Sequence, residues 1–241
     1  MRARPIGPVA AAGALAATAV LAVAVPPAAG RAPAVSHMVV FRDGEATARR
    51  LTARATKVRV RSKRCAVGEG TALAALVRSR PGRIALRDFG ACSSRPRNAA
   101  GLFVSGIRGD NNRGQNGWVY KVGRRAATAG AADPSGPFGR GRLRTGQRIT
   151  WFYCLHGSMG CQHTLEAVPR ATEGGAVVTV RGYDDDGVGV RVAGATVIAG
   201  GRTVTTGPDG TARLDLVAGR HRVTAAKAGL VRSFAEFVRV P

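Results

Sequence analysis

Asp110-Asn111-Asn112-Arg113-Gly114-Gln115-Asn116-Gly117 consists only of polar residues and glycine, and Trp118-Val119-Tyr120-Lys121-Val122 follows it directly. The first run has the chemistry of a loop, because amide side chains and glycine satisfy a turning backbone locally. The second reads as a strand with Trp118, Tyr120 and Val122 on one face, since side chains alternate along an extended chain. Upstream, Ile84 to Phe89 and Leu102 to Ile107 also read as strands. Downstream, Ile149 to Leu155 closes the unit as an aromatic-rich strand.

Working outward, the β pattern begins near Ser36. His37 to Arg42 is apolar and in part β-branched, and Asp43-Gly44 supplies a tight-turn dipeptide. Thr56 to Arg61 alternates Val58 and Val60 with Lys57, Arg59 and Arg61, as a half-buried strand should. A helix follows, capped at Thr71, with Leu73, Leu76 and Val77 on one face and Pro81-Gly82 ending it. Ala126 to Gly141 is rich in Gly, Ala and Pro without periodicity, which predicts an excursion over the surface.

Pro169 to Gly175 reads as a linker. Beyond it, Ala176–Arg181, Ala195–Ala199, Arg202–Thr205, Thr211–Val217, His221–Ala226 and Ser233–Val240 are short strands separated by turn residues such as Gly207-Pro208-Asp209-Gly210. That spacing predicts a small β-sandwich. The expected fold is therefore mainly β with one or two short helices, in two domains over 36–168 and 176–241, with the linker at 169–175.

Residues 1–34 carry an export signature. Arg2 and Arg4 precede an uncharged Ala/Val/Leu run from Val9 to Val25, which Pro26-Pro27 breaks ahead of small residues. This is the order of a signal peptide, and its removal makes the protein extracellular. A membrane association follows only if the segment is retained. The 24 Lys and Arg of residues 36–168 face 7 Asp and Glu, a net of +17, whereas residues 169–241 carry 10 and 7, a net of +3. Such a field favours anionic partners. Outside the cell these are wall polymers or acidic lipids rather than nucleic acid. Only four of the 37 basic residues are Lys, so composition drift under GC-rich coding accounts for the charge equally well.

The four cysteines lie in the exported part, where disulfides are the default. Three connectivities exist. Cys154 and Cys161 are close enough to staple a hairpin, which leaves Cys65 with Cys92. Cys154, His156, Cys161 and His163 offer the donors of a tetrahedral zinc site, but at an uncommon spacing and against the pull of oxidation. A nucleophilic Cys92 or Cys154 would need a free thiol. Asp184-Asp185-Asp186-Gly187 is either a calcium ligand set or an acidic turn, and the spacing favours the turn. No catalytic elbow, metalloprotease helix or phosphate loop occurs. No catalytic residue, cofactor or metal is therefore expected, and the chain reads as a non-enzyme.

Several pieces in order, namely Gly70-Thr71-Ala72-Leu73-Ala74-Ala75-Leu76, Gly101-Leu102-Phe103-Val104-Ser105-Gly106-Ile107, Gly117-Trp118-Val119-Tyr120 and Leu143 to Tyr153, resemble the transcobalamin-like C-terminal domain family over about residues 56–153. Gly123-Arg124 and Gln147 depart from its pattern. The resemblance implies a β-grasp-like unit and a binding or surface module. It does not imply cobalamin, since the helical barrel that cobalamin carriers require has no room here. Residues 176–241 resemble the carboxypeptidase regulatory-like or prealbumin-like sandwich family through Val192-Ala193-Gly194-Ala195-Thr196-Val197, Thr205 to Gly210 and Gly219-Arg220-His221-Arg222-Val223.

The candidate contact residues are Arg108, Asn111, Asn112, Arg113 and Gln115 of the polar loop, with Trp118 and Tyr120 as an aromatic platform. Their place on adjacent strands favours core packing for the aromatics, and the loop serves equally as a solvated turn. The expected function is a secreted interaction module whose basic domain engages an anionic wall polymer, an acidic lipid or a small molecule. The alternative is a structural or adhesive envelope protein with both domains as spacers.

Overall fold

The computed structural model describes residues 31–158 and 160–241. In chain order, the first half contains β1 (Ala34–Val40), β2 (Ala46–Thr52), β3 (Thr56–Val60), β4 (Lys63–Val67), α1 (Ala72–Ser79), β5 (Ile84–Asp88), β6 (Leu102–Ile107), β7 (Asp110–Asn111), β8 (Gly117–Val122), β9 (Arg125–Ala126) and β10 (Arg148–Cys154). The second half contains β11 (Thr164–Thr172), β12 (Gly175–Tyr183), β13 (Gly189–Arg191), β14 (Thr196–Ala199), β15 (Arg202–Thr205), β16 (Thr211–Asp215), β17 (Gly219–Ala226) and β18 (Glu236–Val240). Among the described residues the protein is mainly β with one short α-helix.

The first half is built on a mixed sheet of order β2-β1-β10-β8-β9, in which β1 and β10 run parallel and the other pairs antiparallel. Helix α1 packs beside β1 and β2, a β-grasp-like arrangement, and β3–β4 and β5–β6–β7 form small sheets around it. The Thr71 hydroxyl accepts from the Ala74 amide as its N-cap. Ala72, Ala74 and Ala75 are fully buried beside Leu73 and Leu76, so small side chains let the helix sit close to the sheet.

The stretch Ile149-Thr150-Trp151-Phe152-Tyr153-Cys154 is buried on both faces, which explains why large apolar and aromatic residues follow one another without polar alternation apart from Thr150. Ile149, Trp151 and Tyr153 join the core under the helix. Phe152 and Cys154 join Met38, Val40 and Val231 in a second cluster that the two halves share. In the main core Tyr120 stacks on Trp151 at 4.9 Å, and Trp118 meets Tyr153 edge-on at 5.9 Å.

The second half is a sandwich. One sheet holds β11, β12, β13 and β16, the other runs β15-β14-β17-β18, and an aliphatic core of Val, Ala and Leu lies between them. Both disulfides form as the spacing suggests, Cys65–Cys92 and Cys154–Cys161, with Cα separations of 5.4 and 5.2 Å. Such bridges persist in oxidising compartments. No helix among the described residues is long and apolar enough to cross a membrane.

Three expectations need correction. The supposed linker at 169–175 is sheet: Pro169 to Thr172 continue β11, Glu173-Gly174 turn, and Gly175 starts β12. Proline is tolerated there because β11 pairs only with β12, so its missing N–H faces no ladder partner. Domain limits at 168 and 176 therefore cut a hairpin, and residues 32–241 form one compact unit. The segment 126–141 is more than a surface excursion. Ala131 and Ala132 are buried, and the Ala131 carbonyl accepts from the Leu73 amide at the open N-terminus of α1. Finally, most of the segment read as a signal peptide, residues 1–30, lies outside the described residues. Its assigned end at 34 falls inside the fold, because the Pro33 carbonyl accepts from Ala53 and Ala34 pairs with Thr52.

Polar contacts fasten the halves together. Lys121, on the face of β8 opposite Tyr120, is fully buried. Its ammonium donates to the carbonyls of Tyr183 (3.0 Å) and Asp184 (2.7 Å) and pairs with the Asp185 carboxylate at 3.2 Å. Burial lowers its pKa, an effect that Asp185 and Asp184 partly offset. Arg124–Glu166 and a bidentate Arg148–Glu236 add to the joint. These two are partly exposed, where a pair contributes about 0–1 kcal/mol. The Lys121 site decides the joint. Lys121→Met should destabilise the chain by about 1–3 kcal/mol, the cost of leaving the Tyr183 and Asp184 carbonyls without their donor, while the Asp185 carboxylate keeps access to solvent. Urea unfolding of the two chains reads this directly.

His37 on β1 is also fully buried, and neither ring nitrogen has a hydrogen-bond partner. Burial first, and then the nearby Arg49 charge, push its pKa down to about 3. The unfolded chain protonates this ring below its ordinary value of about 6.5 and the folded chain does not. Stability is therefore full above pH 6.5 and falls as pH drops from there towards 3, by up to about 1.4 kcal/mol per pH unit from this group. His37→Leu should flatten that part of the acid limb in a pH series of thermal melts.

Candidate functional site

The polar loop of residues 111–117 borders a concavity of about 640 Å3, within the range of small-molecule sites. Its wall includes Arg87, Phe103, Ser105, Asn111, Gln115 and Asn116, with Trp118 and Val119 behind them. Arg87 and Phe103 face each other across β5 and β6, on the positions of the alternation that point away from the core. Phe103 is 43 % exposed and packs edge-on against Phe89 at 5.9 Å, itself 72 % exposed. With Asn112 the lining thus offers a guanidinium, an aromatic face, four amides and a hydroxyl, and no carboxylate, imidazole or thiol.

The loop is held rigidly from below by core side chains. Trp118 Nε1 donates to the Asp110 carbonyl at 2.7 Å, and the Tyr153 hydroxyl donates to the Asn111 carbonyl at 3.0 Å. The Asn112 amide bridges two strands, donating to the Val104 carbonyl and accepting from the Trp118 N–H. Gly117 permits this, since a Cβ there would lie 2.6 Å from Asn112 Cγ. At the tip, Arg113 and Asn116 exchange backbone hydrogen bonds. Asn116 Oδ1 accepts from His156 N, which ties the loop to the Cys154–Cys161 turn.

The expected contact residues divide. Asn111, Asn112, Gln115 and Trp118 line the concavity, with Trp118 only 4 % exposed as part of its back wall. Arg113 stands exposed at the tip and outside the lining. Arg108 is engaged elsewhere, donating to Glu45 at 2.7 Å and lying over the Phe41 ring at 4.7 Å. Tyr120 is not a platform. It is buried, its hydroxyl donates to the Ala129 carbonyl, and burial raises its pKa beyond the ordinary phenol range. The sequence reading missed Arg87 and Phe103, although the alternation of β6 turns Phe103 outward while Leu102 and Val104 point in.

The chemical candidates resolve as well. Cys154 and Cys161 are bonded to each other, as are Cys65 and Cys92, so no thiolate is available to zinc or to a substrate. The acidic run forms the turn after β12. Asp184 Oδ1 accepts from Val188, and the Asp185 carboxylate holds Lys121 and the Cys161 amide.

The amide of Asn112 sets the loop, and its removal leaves a carbonyl and an N–H unpaired. Asn112→Ala should cost about 1–3 kcal/mol and speed hydrogen exchange at the Trp118 amide. Amide exchange on the folded chain measures it. No protein-family model, curated protein or solved structure matches this chain.

Proposed function

We propose that the chain is a secreted, non-enzymatic interaction module whose basic first half takes a small polar or anionic partner at the concavity beside residues 111–117. The pinned loop is the observation that carries this reading. A solvated turn needs no anchoring, yet here two buried aromatic donors and one amide hold its backbone ready for contact. A preorganised loop loses little entropy on binding. Phe103 suits the face of a ring, and the amides suit hydroxyl or carbonyl groups, so sugars and other compact polar ligands fit best. Arg87 admits a carboxylate or phosphate on the same molecule. The lining offers no carboxylate, imidazole or thiol to serve as general acid–base or to activate the Ser105 hydroxyl, which supports binding over turnover. The resemblance of the first half to transcobalamin-like domains supports a binding module, and the two disulfides and the export signature support secretion.

The spacer reading draws on a separate observation. The ion pairs and the shared apolar cluster make residues 32–241 a stiff unit, as an envelope spacer would be.

Native mass spectrometry of protein recovered from its own culture medium separates the two. The expected mass lacks the segment before Pro33, contains both disulfides and carries a bound small molecule. That molecule should be lost, or held at least about tenfold more weakly, in Arg87→Gln/Phe103→Ala. A ligand-free chain, or a ligand indifferent to those substitutions, overturns the site and favours the spacer.

A further inference from the structure

The basic charge of the first half gathers at a second place, which shares no lining residue with the loop concavity. Arg49 of β2, Thr56 of β3, and Val77, Arg78 and Arg80 at the end of α1 surround a hollow of about 380 Å3. A neighbouring hollow of about 360 Å3 shares Val77 and Arg80 and adds Lys57 and Arg59, with Val58, Ile84 and Leu86 along its floor. Together these adjoining hollows, treated as one basic groove, present five cations and no carboxylate in their lining. Among the described residues, none of the five cations has an ion pair.

Diffuse basic composition does not account for this arrangement. Five of the six carboxylates between β1 and β10 are committed elsewhere. Glu45 pairs with Arg108 and Glu69 with Arg142, while Asp43, Asp88 and Asp133 cap turns. The groove cations come instead from three neighbouring elements, β2, β3 and the end of α1, on regular strands and a helix end rather than on a loose loop. Regular elements hold a site more firmly than loops do.

We infer that this groove binds an extended polymer bearing a phosphate-like charge at each repeat. Five cations over two adjoining hollows exceed what one phosphate can engage, and a chain of anions can follow them. A bilayer is a poorer fit, because no large apolar side chain in either lining is exposed enough to insert among lipid chains. Single-stranded nucleic acid is poorer too. Its binding sites stack bases on aromatic side chains, and no aromatic residue lines either hollow.

Binding of poly(glycerol phosphate) to the disulfide-intact chain, followed by calorimetry over a salt series, tests the inference. The logarithm of affinity should fall with the logarithm of salt at a slope of about 3 or more, since each engaged phosphate contributes about 0.7. Arg49→Gln/Arg78→Gln/Arg80→Gln should weaken binding by roughly tenfold or more and reduce the slope by about 2. Arg140→Gln/Arg142→Gln/Arg144→Gln removes the same charge from another basic hollow and should change affinity by less than about threefold. The loop variant Arg87→Gln/Phe103→Ala should bind the polymer unchanged, which separates this site from the proposed ligand site. Equal losses in the two arginine triples would show a diffuse field and overturn the groove. So would a slope below about 1 for the unsubstituted chain, a reading that needs no variant to fold. Tighter binding of single-stranded DNA, or of phosphatidylglycerol vesicles, would overturn the assignment to a phosphate-repeat polymer.

Discussion

A single ammonium group, that of Lys121, lies where the two halves of the molecule meet, without contact with solvent. Its burial is tolerable only because the turn after β12 presents two carbonyls and the Asp185 carboxylate to it. That requirement fixes the sandwich against one face of the mixed sheet. It also explains why the sheet is apolar on both faces. One face receives α1, and the other receives Val231, with Phe234 packed alongside. The disulfide Cys154–Cys161 ends β10 at the same junction, and the Cys161 amide donates to the Asp185 carboxylate that holds Lys121. A charge, a bridge and an apolar cluster thus reinforce one joint.

Much of the fold was legible because local signals agreed with one another. Thr71 caps α1, Asp43-Gly44 turns between β1 and β2, and Trp118, Tyr120 and Val122 share the buried face that their alternation predicts. What escaped the reading was tertiary in origin. Nothing local distinguishes Lys121 from a lysine on a solvated strand face, because its partners lie about sixty residues downstream. β2 and β4 escaped because Arg49, Arg50, Lys63 and Arg64 are exposed on them, so their sequences lack the apolar alternation of a half-buried strand. The end of β11 and the turn into β12 read as a linker because Pro169 and the glycines after it are turn residues by chemistry, and only an edge position makes the proline compatible with a strand.

The site was legible by half. Amide side chains and glycine marked the loop correctly, yet they could not show which neighbours would complete a cavity. Phe103 and Arg87 reach it through cross-strand pairing, a relation between two segments separated by the Cys92 loop. The aromatics Trp118 and Tyr153 serve the loop from inside, through hydrogen bonds to its carbonyls, rather than as a stacking surface. The charge asymmetry is real but unevenly spent. Arginines such as Arg108, Arg124 and Arg148 neutralise carboxylates and cover aromatic rings, while those around Val77 do not.

The joint at Lys121 also limits how such a protein can be assembled from parts. Two domains on a flexible tether can be shuffled, duplicated or lost independently. Here an exchange of the sandwich would leave an ammonium in the interior with no carbonyl to receive it. An exchange of the sheet would leave the turn at Asp184–Asp186 facing an apolar wall. Each half has become part of the other's folding specification, so the pair behaves as one heritable unit although it contains two cores.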